Sequence, residues 1–168
     1  MELRKMIPKI EMQVGDPLAG RLLFRAQEHS FSYEVTDGED FRRRSGDEGL
    51  TSLVADTLQL EVGIETGELL FAWGYFPATS WSAATLPRPN VVPGVLRLVS
   101  VDELEAGVSL SIFRGGDWKA EFDQAAGFLR VSLDDGATAS VVEIAQGVAV
   151  GVRDGLIRSV WLRPLFVH

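Results

Sequence analysis

The imidazoles of this 168-residue chain are His29 and His168, and it contains no cysteine. A histidine-based metal centre needs ligands at short spacing such as H-x-x-x-H or H-x-E, which this distant pair does not supply. An imidazole general base needs an orienting partner. No spacing around His29 provides one, and the residue reads as a loop histidine ahead of the apolar run at Phe31. Without cysteine, disulfides, thiolate metal sites and thiol nucleophiles are excluded together. No G-x-S-x-G elbow, phosphate-cradling G-x-x-x-x-G-K-[ST] loop or G-x-G-x-x-G fingerprint occurs, and the glycines of GVAVGVRDG at 147–155 are spaced for strands and a turn. No metal and no cofactor is expected.

Paired carboxylates do acid–base work when their surroundings split their pKa values. Here Glu11, Glu34, Glu61, Glu121 and Glu143 occupy polar positions of alternating segments, and Asp37, Asp134, Asp135 and Asp154 occupy turns. Solvated faces and turn formation account for them. The run Arg42-Arg43-Arg44 has the bidentate chemistry to grip a carboxylate or an acidic partner. It lies in EVTDGEDFRRRSGDEG, the most disorder-like stretch, and reads as a solvated loop countering its own acids.

The aromatic segment FAWGYFPATSW at 71–81 is more informative. One reading is a central strand buried on both faces, with Trp81 closing the core after a turn at Pro77. The other is an apolar patch that binds a ligand or partner, with Ala78, Thr79 and Ser80 at its mouth. The candidate binding residues are Trp73, Tyr75, Phe76, Trp81 and, from a related segment, Trp161.

The elements that position these residues are strands. Apolar side chains recur at every second position at Ile10–Val14, Phe31–Val35, Leu58–Ile64, Val108–Ile112, Trp118–Phe122, Leu129–Leu133 and Val148–Val152, the signature of strands with one wet face. Turn chemistry separates them at Asp37-Gly38, Thr66-Gly67, Gly115-Gly116, Asp134-Asp135-Gly136 and Asp154-Gly155. This pattern predicts a mainly β fold, an antiparallel sandwich or squat barrel of hairpins, with at most two short helices. The helix candidates are Ser100–Ala106, where Ser100 and Glu103 fit a capping box, and Leu50–Ala55.

At a fixed offset of 88, LEVGIETGELLFAW at 60–73 lies over VAVGVRDGLIRSVW at 148–161 and matches at Val62/Val150, Gly63/Gly151, Gly67/Gly155 and Trp73/Trp161. Two hairpins that solve one turn problem alike, or two lobes from a duplication, both explain it. The chain is expected to form a single domain over 1–168. The alternative is two β lobes, 1–84 and 95–168, joined by the Pro-rich TLPRPNVVPG. The stretch Phe122–Leu162 opens on Phe122-Asp123, carries a Val-rich strand and turns at Asp154-Gly155. It resembles a small uncharacterised bacterial β-domain whose pattern opens on Tyr-Asp and closes with a Val-rich strand, Asp-Gly and an apolar strand. Arg158 and Ser159 depart from that family's Gly-Ile-Glu type of finish. The resemblance covers the last quarter of the chain and implies a β fold, with no activity attached.

Sixteen Lys plus Arg against 24 Asp plus Glu give a net charge of −8, the wrong sign for neutralising phosphates, so no nucleic acid is expected. The imbalance is local: residues 1–44 carry eight charges of each sign, and residues 45–168 carry eight basic and 16 acidic. LLFAWGYFPA at 69–78 is too short and too interrupted to span a membrane, and the N-terminal residues lack the apolar core of a secretory leader. A cytoplasmic location is expected. The leading functional expectation is a non-enzymatic binding protein whose acidic surface recognises a basic protein, a bacterial immunity protein being the concrete case. The alternatives are a cofactor-free β-barrel that binds a hydrophobic small molecule, as an isomerase or cyclase, and a structural module that dimerises through an edge strand such as 9–14.

Overall fold

The computed structural model describes residues 8–102, 104–112, 118–133 and 140–168. The first half contains β1 (Ile10–Gln13), β2 (Gly20–Arg25), β3 (Ser30–Val35), α1 (Gly38–Ser45), β4 (Leu50–Ala55), β5 (Leu58–Gly63), β6 (Leu69–Tyr75), β7 (Ser82–Ala83), β8 (Val91–Pro93) and β9 (Val95–Leu98). The second contains β10 (Leu110–Ser111), β11 (Lys119–Asp123), β12 (Phe128–Ser132), β13 (Ser140–Ala145), β14 (Val148–Arg153), β15 (Leu156–Leu162) and β16 (Leu165–Val167). The mainly β expectation holds. The turns expected at Gly115-Gly116 and Asp134-Asp135-Gly136 lie outside the described residues. At Asp154-Gly155 both residues have positive φ, 54° and 74°, the geometry a two-residue hairpin turn needs to match strand twist.

Two seven-stranded sheets run in the orders β10-β4-β5-β6-β3-β2-β16 and β7-β11-β12-β15-β14-β13-β8, and β1 pairs with β9 in a separate ribbon. Each sheet ends in two different strands, so neither closes into a barrel, and the sandwich is the form adopted. The five inner strands of both sheets share one topology. A hairpin (β2-β3 or β11-β12) is followed by a three-stranded meander whose last strand returns beside the hairpin's second strand. The outer strands add in parallel: β10 to β4, β16 to β2, β7 to β11 and β8 to β13. The chain leaving β6 thus joins the second sheet through β7, and the chain leaving β15 joins the first through β16. Alternation predicts strands but is silent on this exchange.

The repeat keeps its offset in one strand and loses it in the other. Trp73 pairs with Gln59 and Trp161 with Ala149. The tryptophans are therefore 161 − 73 = 88 positions apart, whereas their partners are 149 − 59 = 90 apart. Connections of different length and shifted registers in both hairpins absorb the difference.

Both helix expectations are corrected. Leu50–Ala55 is β4, paired residue by residue with β5. Ser100–Ala106 makes no helix among its described residues. A Glu105–Val108 bridge folds the chain back on itself there, and a bond from Gly107 N–H to Leu50 O ties it to β4 instead. The helix of the described residues is α1, inside the segment read as a disorder-like loop. Asp37 is its N-cap, accepting from Asp40 N–H at 3.0 Å. Glu39 and Asp40 lie in the first turn and Arg42, Arg43 and Arg44 in the last, as the helix dipole favours. Phe41 anchors it 6.0 Å from the Phe71 ring. The helix end comes so close to β5 that a Cβ on Gly63 would meet Ser45 O at 2.4 Å.

One core cluster draws on both sheets, from Leu22, Phe24, Phe31, Leu60 and Ala72 on one side to Leu129, Val131, Val142, Val150 and Leu162 on the other. Where the exchanged strands cross, Trp81 lies 4.8 Å from Phe24, 5.9 Å from Phe31 and 5.5 Å from Phe122, and Phe166 closes the cluster 5.7 Å from Phe122. Aromatic rings at these separations gain from tilted and stacked contacts beyond the area they bury. No described helix is long and apolar enough to cross a membrane.

Candidate functional site

In the second sheet the positions that alternation assigns to water are covered. Leu129 and Val131 of β12 face the shared core, so Phe128 and Arg130 face the other way, as do Val141, Ala149 and Trp161 on neighbouring strands. Residues 84–90, between β7 and β8, run over them as a strap. Leu86 is buried there against Phe128, Val141, Ala149 and Trp161. Asp123 fixes the strap: its Oδ2 accepts from Leu86 N–H at 3.0 Å and its Oδ1 from Ala126 N–H at 3.1 Å. These backbone donors hold the Asp123 carboxyl below the ordinary carboxylate range.

Beside the strap, a cleft of about 280 Å³ opens between Pro89, Val91, Phe128, Glu143, Trp161 and Arg163. Its floor is fixed by hydrogen bonds and cation–ring contacts. The Trp161 indole N–H donates to Ser159 Oγ at 3.1 Å, and the guanidinium carbon of Arg130 lies 5.4 Å from the indole centroid. Arg130 is buried and donates to Glu121 Oε1 at 2.8 Å, while Arg163 sits 5.9 Å from the Phe128 centroid. A charge-paired arginine beside an indole restricts its rotation. The result is a preformed apolar surface with one cation, Arg163, and one anion, Glu143, at its walls.

The five candidate residues lie in different places. Trp161 floors the cleft. Trp73, its counterpart in the first sheet, is partly buried beside Glu61. Burial raises the Glu61 carboxyl more than the Ser52 hydroxyl and the Trp73 indole lower it. Tyr75 is 55 % exposed, with its ring 6.2 Å from His29. Phe76 and Trp81 belong to the core aromatic cluster. Ala78–Ser80 form an exposed 3-10 turn that carries the chain from β6 to Trp81. Alternation hid Arg130, Glu143 and the strap because it treats every polar position as wet. The available signal was Phe128 in FLRVSL at 128–133, a large apolar residue on the face that Arg130 and Ser132 make polar.

A second constellation of charges surrounds Glu68. Arg44 reaches Glu68 Oε2 at 3.6 Å, Arg97 reaches Oε1 at 3.5 Å, and Arg44 also grips Asp40 at 2.8 Å. Arg43 pairs with Asp40 from the helix surface. Burial tends to raise the Asp40 carboxyl, but hydrogen bonds and charge from Arg43 and Arg44 outweigh it and hold the group low. At Glu68 the balance is reversed, and burial raises the carboxyl more than Arg44 and Arg97 lower it. Thus the arginine run read as a solvated loop is the last turn of α1, and Arg44 is packed against a buried acid.

Among the described residues no group of three or more His, Asp or Glu is placed to hold a metal ion. No protein-family model and no curated protein sequence matches the chain.

Proposed function

We propose that this protein is a non-enzymatic binding module that captures a protein partner through the Trp161 cleft. An apolar side chain of the partner seats on the indole, and a neighbouring Lys or Arg meets Glu143. The observation that carries the reading is the preformed cleft of about 280 Å³ floored by an indole that Arg130 and Ser159 hold in place. Anchors of this kind dominate protein–protein binding energy. The acidic excess of residues 45–168 supports a basic partner, because opposite charge accelerates encounter. An immunity protein that neutralises a cationic toxin is the concrete case.

The test is selection of a random-peptide display library on the immobilised full chain, beside the Val91→Asp and Glu143→Lys variants. Both substitutions are at cleft walls and leave the core untouched. Wild type should enrich peptides that pair a large apolar residue with Lys or Arg. Val91→Asp should lose them all, and Glu143→Lys should lose the basic preference. Equal enrichment on all three proteins, or no consensus, overturns the reading. The volume also suits a small apolar ligand, near the low end of the roughly 300–1,000 Å³ range of such pockets. Saturable binding of an anilinonaphthalene dye that Val91→Asp abolishes, with no peptide consensus, would decide for that second reading.

A further inference from the structure

The charges around Glu68 line a cleft of about 320 Å³ between the last turn of α1, the β1–β2 connection at Gly15-Asp16, and Val95 and Arg97 of β9. We propose that this cleft binds a small oxyanion, a carboxylate or a tetrahedral group, held by Arg97 and Arg44 with Arg43 at the rim, and that Glu68 releases the two inner arginines by taking up a proton as the anion enters.

The distances show that Glu68 is a loose partner. Arg44 and Arg97 stand 3.6 and 3.5 Å from it, whereas Arg44 holds Asp40, and Arg130 holds Glu121, at 2.8 Å. The Nε of Arg97 is shut off from solvent and has no acceptor among the described residues. A guanidinium is a rigid fork that matches planar and tetrahedral oxyanions in bidentate fashion, and the Arg97 side chain keeps 38 % of its surface open where it lines the cleft.

The charges around Glu68 also match. From α1 come Arg43, Arg44 and Asp40, from β9 Arg97, and from the β1–β2 connection the exposed Asp16. With Glu68 ionised, three cations face three anions. With Glu68 protonated, one positive charge is left over, which favours an anion, and the new carboxyl O–H becomes a donor to it. Burial already favours that protonated form.

Isothermal titration of the full chain with sulfate and with acetate tests this, because both keep their charge between about pH 6 and pH 8. The expected result is one-to-one binding of at least one of them, with affinity rising as pH falls, by at most about tenfold per pH unit. Heats measured in buffers of different ionisation enthalpy should show net proton uptake. Glu68→Gln should bind more tightly near pH 8 and lose both the pH dependence and the proton uptake. Arg97→Ala should weaken binding tenfold or more. Arg43→Ala, at a side chain 77 % exposed, folds regardless and should weaken it severalfold. No saturable heat from either anion overturns the proposal, as does a pH dependence that Glu68→Gln leaves intact. A purely structural ion network predicts the first of those results.

Discussion

Replacing Glu121 by Gln and Arg130 by Met separates the charge of a buried arginine from its bulk. Arg130 is 7 % exposed and depends on Glu121 for its counter-charge at 2.8 Å. Glu121→Gln keeps an acceptor but removes that charge. Breaking a fully buried pair costs about 3–5 kcal/mol. The Glu121 side chain keeps 28 % of its surface in water, and solvent screening brings the figure down to roughly 1–2 kcal/mol. Arg130→Met removes the cation and its desolvation cost together, and keeps an aliphatic stem against Trp161. It forfeits a cation–ring contact of about 1–2 kcal/mol, so the net change should stay within about 1 kcal/mol of wild type. The double variant should resemble Arg130→Met, because Glu121 then has nothing to hold. Urea denaturation near neutral pH, followed by circular dichroism, reads all four proteins. For a chain of this size 1 kcal/mol corresponds to roughly 2–4 °C in Tm. The reasoning is refuted if Arg130→Met is the more damaging single change, or if the two losses simply add.

Other outcomes follow from the strap, the helix cap and Asp123. Leu86→Ala should cost about 2–3 kcal/mol, the lower part of the range for a buried leucine because the strap can settle; a loss under about 0.5 kcal/mol in urea would show that Leu86 is not a packing anchor. Asp37→Ala removes the N-cap of α1 and should cost about 1 kcal/mol, with faster amide exchange confined to residues 38–45; unchanged exchange there would contradict the cap. The Asp123 carboxyl is held low in the folded state, so its contribution is full above the unfolded pKa of about 3.9 and is lost as pH falls through the folded value. Asp123→Asn should therefore show a shallower decline of Tm on acidification than wild type, and an identical slope would contradict the assignment.

Strands were legible because alternation is a direct consequence of pleat geometry, and Ser30–Val35 and Leu58–Gly63 carry it plainly. The helix at Gly38–Ser45 was not, since Asp37-Gly38 has the chemistry of a hairpin turn as well as of a helix start. The deciding contacts, Asp40 to Arg43 and Arg44 and Phe41 to Phe71, need the folded chain. Trp161 was legible as an aromatic of interest, but not its cleft, because alternation does not say which outer face a distant strap will cover. The same limit hid Glu68 and Arg130: charged residues on polar positions look solvated until another segment crosses them. The reciprocal exchange of β7 and β16 left no trace in local pattern, since parallel pairing at a sheet edge depends on the path of the whole chain.

The central claim, that the Trp161 cleft takes an apolar side chain next to a basic one, is tested most directly by nuclear magnetic resonance. The chain has four tryptophans, so their indole N–H signals form a small, assignable set. Titration with an acetylated, amidated Arg-Leu-Arg tripeptide should shift the Trp161 signal saturably while Trp73 and Trp81 stay in place, Val91→Asp should abolish the shift, and Glu143→Lys should weaken it. A saturable shift at Trp73 with none at Trp161, or no saturable shift at any indole, would contradict the account.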